Sequence, residues 1–217
     1  MTTPITRKLL FLFVVLGTTC GAFADITFWQ NSSNGTATIL CDTYLPSCGG
    51  SGWILYDDFV VSGQTKITDF TYTDFFSTGQ ISSYVSTKWF IFGPNAADPF
   101  GTPAYSGTAV ATSVLNGDGG YTFSITGLNL AVTNGTWIVG FSNVLSDPNA
   151  VTTRAASDDP RLPEWWQQST DGSHQYTLDG NSAFSVSTSP APEPGTLITF
   201  GSGILGLAGV LRRRLMG

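Results

Sequence analysis

The chain has 217 residues, 11% of them charged, 13% aromatic and 25 of them glycine, too apolar and aromatic for a disordered segment and poor in charge for a soluble domain. Nine Lys and Arg stand against fifteen Asp and Glu, a formal charge of -6. Arg7, Lys8 and Arg212 to Arg214 sit at the two ends, so the middle keeps four basic residues against fourteen acids, an excess of ten negative charges that argues against nucleic acid and anionic membrane surfaces as partners.

In chain order, Arg7 and Lys8 precede the apolar run Leu9 to Leu16, and small residues lead to Ala22-Phe23-Ala24. A basic stretch, an apolar stretch and an A-x-A site make residues 1–24 a secretory signal peptide, cut by signal peptidase after Ala24. The apolar run is far shorter than the ~20 residues a membrane span needs, which disfavours a retained anchor. Cys20 has Gly17 three residues before it, a poor lipoprotein site. Removal of the leader leaves Cys41 and Cys48, and an even cysteine count in an exported chain predicts a disulfide. Pro46 and the following Gly49-Gly50 let the segment turn back, and loop closure would contribute about 2 kcal/mol. With His174 the sole histidine, a Cys/His metal site is disfavoured, and neither metal nor cofactor is expected.

Residues 25–187 show no sustained helical spacing of apolar residues. Short apolar and Thr/Ser-rich runs broken by Gly and Asn predict an all-β domain. The expected strands are Ile26 to Gln30, Thr36 to Cys41, Ile54 to Val61, Lys66 to Thr73, Lys88 to Phe92, Thr108 to Leu115, Tyr121 to Ile125, Trp137 to Phe141, His174 to Leu178 and Ala183 to Ser187. Asn134-Gly135 predicts a tight hairpin between Leu128–Val132 and Trp137–Val139. Asn116 to Gly120 predicts a second hairpin with a longer loop. Alternation in Lys66 to Thr73 puts Phe70 and Tyr72 on the buried face and Ile67, Asp69 and Thr71 on the other. The architecture these imply is an antiparallel two-sheet sandwich, jelly-roll-like. Two proline-bearing stretches, Gly93 to Gly107 and Val144 to Gln168, read as long loops, the second with a short helical turn, and long loops in a compact domain are often functional.

Residues 188–195 form a polar linker ending in Pro192-Glu193-Pro194. Residues 196–214 hold an uncharged glycine-rich apolar run closed by Arg212-Arg213-Arg214. At about 1.5 Å per residue the run is slightly short for a ~30 Å hydrocarbon core, and local thinning and Arg snorkelling let it span as one transmembrane helix. The basic cluster belongs on the cytoplasmic side, leaving the domain outside.

Pro192-Glu193-Pro194, the short apolar helix and the terminal arginines, in that order, resemble the PEP-CTERM sorting signal. The resemblance implies cutting near Pro192 to Pro194 by an exosortase, a membrane cysteine protease, after transport by the general secretion machinery. It further implies transient residence in the inner membrane, then the surface or matrix of a Gram-negative bacterium that makes exopolysaccharide and biofilm. Tyr56-Asp57-Asp58-Phe59-Val60-Val61, Ile67-Thr68-Asp69-Phe70, Asn134-Gly135-Thr136-Trp137-Ile138-Val139 and Asn181-Ser182-Ala183-Phe184-Ser185-Val186 resemble, more loosely, the exported β-sandwich domain common among such proteins.

Catalytic constellations are scarce. Asp57 and Asp58 are neighbours on a strand and point to opposite faces, so they do not serve one site as a glycosidase pair. Asp158-Asp159 read as solvated surface acids. The Asn116 to Gly120 loop lacks the spacing of a calcium-binding EF-hand. A Ser-His-Asp triad would have to use His174, and Gly201-Ser202-Gly203 falls in the apolar tail. No catalytic residue is assigned. Trp165, Trp166, Trp53 and Tyr105 are the candidate ligand-binding residues, an aromatic platform for sugar rings; such side chains more often pack in the core, and against that the setting of Trp165-Trp166 leads us to expect at least one exposed indole. The leading expectation is a non-catalytic structural or adhesive matrix component; the alternative is a carbohydrate-binding module, and a hydrolase ranks third.

Overall fold

Runs of β-branched and aromatic residues punctuated by Gly and Asn pack best on a pleated surface. The computed structural model describes residues 26–44, 52–63, 65–77, 81–159 and 164–189. Within them lie β1 (Ile26–Asn31), β2 (Ala37–Cys41), β3 (Trp53–Val61), β4 (Thr65–Phe76), β5 (Tyr84–Phe92), β6 (Tyr105–Ala109), β7 (Thr112–Leu115) and β8 (Tyr121–Ile125). After them come β9 (Leu130–Val132), β10 (Gly135–Leu145), β11 (Thr152–Ser157), β12 (Glu164–Ser169), β13 (Gln175–Asp179), β14 (Asn181–Ser182) and β15 (Phe184–Ser189). One 3₁₀ turn, Ile81–Ser83, precedes β5.

The strands form two antiparallel sheets, the all-β arrangement the sequence predicts. A nine-stranded sheet runs β1-β15-β4-β11-β14, with β2 on β11, β8 and β9 on β4, and β7 on β8. A six-stranded sheet runs β13-β12-β3-β10-β5-β6. Their facing sides interdigitate around Phe59, Phe70, Tyr72, Phe123, Val139, Phe141 and Val186. Tyr72 is stacked between Phe141, at 4.6 Å between centroids, and Phe123, at 5.2 Å.

The six-stranded sheet is apolar on its other face too. Alternation along β3 sends Phe59 and Val61 to the main core and Ile54 and Tyr56 to a second cluster with Phe92, Ile138 and Trp166. The stretch expected as a functional loop after Gly93 packs Ala96 and Phe100 against that cluster. It keeps the second face dry, which explains a proline-rich excursion of this length.

Several expectations are corrected. The stretch Val144 to Gln168 contains no helical turn among the described residues; it holds the end of β10, all of β11 and most of β12. Pro148 falls between β10 and β11 and prevents neither strand. Thr108 to Leu115 is two strands: β6 pairs with β5 and β7 with β8, in different sheets. Asn134-Gly135 is not a hairpin turn. β9 pairs with β4 while β10 pairs with β3 and β5, so the chain crosses between sheets there, through Gly135 at φ 140°. Asn116 to Gly120 does form the β7–β8 hairpin, closed by Asn116 N–H to Gly120 C=O and by Asp118 Oδ1 accepting from Gly120 N–H.

Strict alternation fails in β4. Ile67 is buried in the same core as Phe70, because the register against β15 shifts between the pairs Asp69–Ser187 and Ile67–Thr188 and leaves Thr68 as an extra residue. This β-bulge turns Ile67 back to the inside. β15 runs on to Ser189, past the expected end of the domain at residue 187.

The leader with Ala22 and Ala24, the apolar tail 196–214 and Cys48 lie outside the described residues. No helix among the described residues is long and apolar enough to cross a membrane. Cys41 is buried at the end of β2.

Candidate functional site

The strongest concentration of charge in the domain is one the sequence reading missed. Arg154 on β11 is 1% exposed. Its Nε donates to Asp74 Oδ1 at 2.5 Å and its Nη2 to Asp42 Oδ2 at 2.9 Å, and its guanidinium lies over the rings of Tyr72 and Phe141. Asn143 Nδ2 donates to Asp74 Oδ2 at 2.6 Å, and the Tyr72 hydroxyl donates to Asn143 Oδ1 at 2.8 Å. Thr87 extends the chain to the Tyr84 hydroxyl. Burial pushes the Asp74 carboxyl well above the carboxylate range; Arg154 opposes this and the neighbouring Asp42 adds to it. Burial alone would lower the guanidinium, and the two carboxylates more than reverse it. Both carboxylates are fully buried, so the centre ties β4, β10, β11 and the end of β2 together; it offers no surface to a ligand. One signal for it is in the sequence: the middle has only four basic residues, and Arg154 stands alone in a Thr/Ala run that otherwise reads as strand.

The first tempting carboxylate pair is separated. Asp57 faces the main core and Asp58 the opposite side. Asp57 Oδ2 accepts from the Ser182 backbone N–H at 2.6 Å and its hydroxyl at 2.9 Å, and Oδ1 accepts from Asp58 N–H. Burial raises the Asp57 carboxyl well above its ordinary range, against the lowering effect of those donors. Two stretches of the loose family resemblance, Tyr56 to Val61 and Asn181 to Val186, thus meet through one carboxylate that bridges the two sheets. Asp158 and Asp159 line a surface depression of about 320 Å³ with Gln30, Ser32, Ser33, Asn34 and Ser157, and Asp158 accepts from Asn34 Nδ2.

His174 sits in the turn between β12 and β13. Its Nδ1 is 2.8 Å from Ser173 Oγ, which donates to Asp171 Oδ1 at 2.7 Å. Ser169 Oγ donates to the same oxygen at 2.6 Å, and these hydrogen bonds hold the exposed Asp171 carboxyl below its ordinary range, the Ser169 hydroxyl first. The serine stands between the acid and the imidazole, so the acid cannot orient the imidazole as a triad requires. The three residues hold a hairpin turn. Among the described residues no three His, Cys, Asp or Glu side chains gather as metal ligands.

The four aromatic candidates do not share a surface. Trp165 and Trp166 lie in β12, not in a loop, and are 7% and 5% exposed; the expected exposed indole is absent because neighbours on a strand point to opposite faces and both faces are covered here. Tyr105 is on β6 at one margin of the sheet, its hydroxyl donating to the Ala131 carbonyl. Trp53 is half-buried at the start of β3, an inner strand of the same sheet, and its ring lies 6.0 Å from Tyr176 on the marginal strand β13 and 6.1 Å from His174. Tyr176 is 47% exposed, and sequence reasoning did not single it out.

The chemistry of the tail carries the assignment. The family model of the PEP-CTERM protein-sorting motif matches residues 190–214. The chain carries a PEP-CTERM sorting signal. The match takes in Pro192, Glu193, Pro194 and Arg212 to Arg214, all outside the described residues. PEP-CTERM signals mark proteins exported to the surface of Gram-negative bacteria, and the motif implies processing by an exosortase, a membrane protease. Among curated proteins none matches the chain.

Proposed function

We propose that this PEP-CTERM protein is an exosortase-processed component of the cell surface or exopolysaccharide matrix, with a structural or adhesive, non-catalytic domain. The observation that carries the reading is the sorting motif at residues 190–214, set behind a β-sandwich that ends one residue before it at Ser189. β15 is hydrogen-bonded to both β1 and β4, so the tail leaves from a strand anchored inside a sheet, which suits a folded cargo carried by a removable handle. The acids support a non-catalytic role. Asp42, Asp57 and Asp74 are consumed in buried structural contacts, and Asp171 in a turn. The test is fractionation of host cells with and without their exosortase. The reading expects the protein at the surface or in the matrix of the first and held in the inner membrane of the second. Identical distribution in both would overturn it.

A second reading, a carbohydrate-binding module, is favoured by the exposed Tyr176 ring beside the half-buried Trp53, since aromatic rings reaching the surface suit sugar rings. It expects glycan-array binding that Trp53→Ala and Tyr176→Ala abolish, and a blank array would sink it. Trp165 and Trp166 are unsuitable for that test, because truncating either removes a buried side chain.

A further inference from the structure

One side of the sandwich is an open margin of strands. β6 ends the six-stranded sheet and pairs with β5 alone; β7 lies at the margin of the nine-stranded sheet and pairs with β8 alone. The two are nearly continuous. The chain leaves β6 at Ala109, tucks Ala111 into the core with its N–H donating to the Tyr84 hydroxyl at 3.0 Å, and enters β7 at Thr112. A single ribbon therefore edges both sheets. Val110, Val114 and Leu115 on it are 79%, 66% and 60% exposed, and every residue of β7 is exposed. The outward N–H and C=O groups of an edge strand are complementary to another strand, and folded domains usually block such edges with charge, proline or a covering segment. Among the described residues this edge has none of the three. No charged residue stands between Asp98 and Asp118, and the last proline, Pro103, comes before β6. The opposite margin, β13, is flanked by Asp171 and ends on Asp179.

We propose that the β6–β7 ribbon is a self-association surface, on which a second copy of this chain lays its own β7 antiparallel to the first about a two-fold axis. Charge selects the occupant. Residues 25–189 carry an excess of ten negative charges, so two copies repel in most orientations; the uncharged ribbon is where they meet without opposing like charges. A basic partner would be drawn to the acidic surface instead. A two-fold pairing uses the same patch on both copies and closes both edges at once, covering Val114 and Leu115. The contact is small, so the dimer is weak and concentration-dependent. The inference goes beyond the sorting reading and does not rest on it, since association is read on purified protein whatever its route of export.

The test is light scattering on the exported protein recovered from its host, across a concentration series and at low and high salt. The expected result is a mass rising from one chain to two with concentration, at lower concentration in high salt, because salt screens the acidic repulsion. Val114→Lys, a change at an exposed position that leaves the thermal midpoint nearly unchanged, holds the protein at one chain, while Thr177→Lys, at an exposed position on the opposite margin, associates as the parent does. A parent that stays at one chain throughout, association weakened by salt, or a folded Val114→Lys that dimerises as well as the parent would each overturn the proposal. The salt arm needs no variant and decides the matter even if Val114→Lys fails to fold.

Discussion

Arg154 is, among the described residues, the one cation paired with Asp42 and Asp74, whose carboxyl groups are fully buried. Replacing it with Ala leaves Asp42 and Asp74 buried without a cation, and breaking a buried pair from one side costs about 3–5 kcal/mol. Arg154→Ala is therefore expected to lower the unfolding free energy by that much in a denaturant titration, whereas loss of the half-exposed Trp53 ring costs far less. Asp57 gives a prediction in pH. Its folded-state pKa is raised above the ordinary 3.8 by burial, so the folded protein holds that proton more tightly than the unfolded chain. The stability it contributes is present below about pH 4 and is lost as pH rises through the raised value. Unfolding free energy should fall as pH rises from there, and Asp57→Asn should flatten that slope; an unchanged slope would contradict the assignment. At this scale the sequence was partly legible. Alternation placed Asp57 and Asp58 on opposite faces, but nothing local pairs Asp57 with Ser182, 125 positions away, or Arg154 with Asp42 and Asp74. Such contacts are set by which strands become neighbours.

Among the elements, β10 shows how a small residue permits a large one. Gly140 sits under the ring of Tyr56 across the β3–β10 pair, and a Cβ there would come within 2.1 Å of the ring. Gly140→Ala must displace Tyr56 from the second apolar cluster, and overpacking of this kind costs about 1–3 kcal/mol. Thermal unfolding checks it, with a second Gly→Ala change at Gly117, where a Cβ meets nothing within 4 Å, expected to be far milder. Strand existence was legible wherever a run alternated between turn residues, and the β7–β8 hairpin followed from its Asn-Gly-Asp-Gly-Gly loop. β11 and β12 were hidden because prolines between them mimic a loop. Asn134-Gly135 misled because a two-residue turn signal does not say which strands pair. The Thr68 bulge was also invisible, since its cause is the register of β15.

For the whole molecule, composition and the order of the terminal parts were more informative than any single residue. The tail declared the sorting route because its elements are contiguous in sequence, whereas the domain's role depends on surfaces assembled from distant strands. Trp165-Trp166 was a candidate platform in sequence and is core in three dimensions; Trp53 and Tyr176, more than a hundred positions apart, meet where Tyr176 is exposed. Removing the arginine-bearing tail leaves an acidic sandwich whose neutral β6–β7 margin is its least repulsive face. Whether that removal happens is the central claim, and mass spectrometry of the C-terminus of protein recovered from exosortase-positive cells tests it most directly. The expected C-terminus lies near Pro192 to Pro194, with Arg212 to Arg214 gone; an intact chain ending at Gly217 would contradict the account.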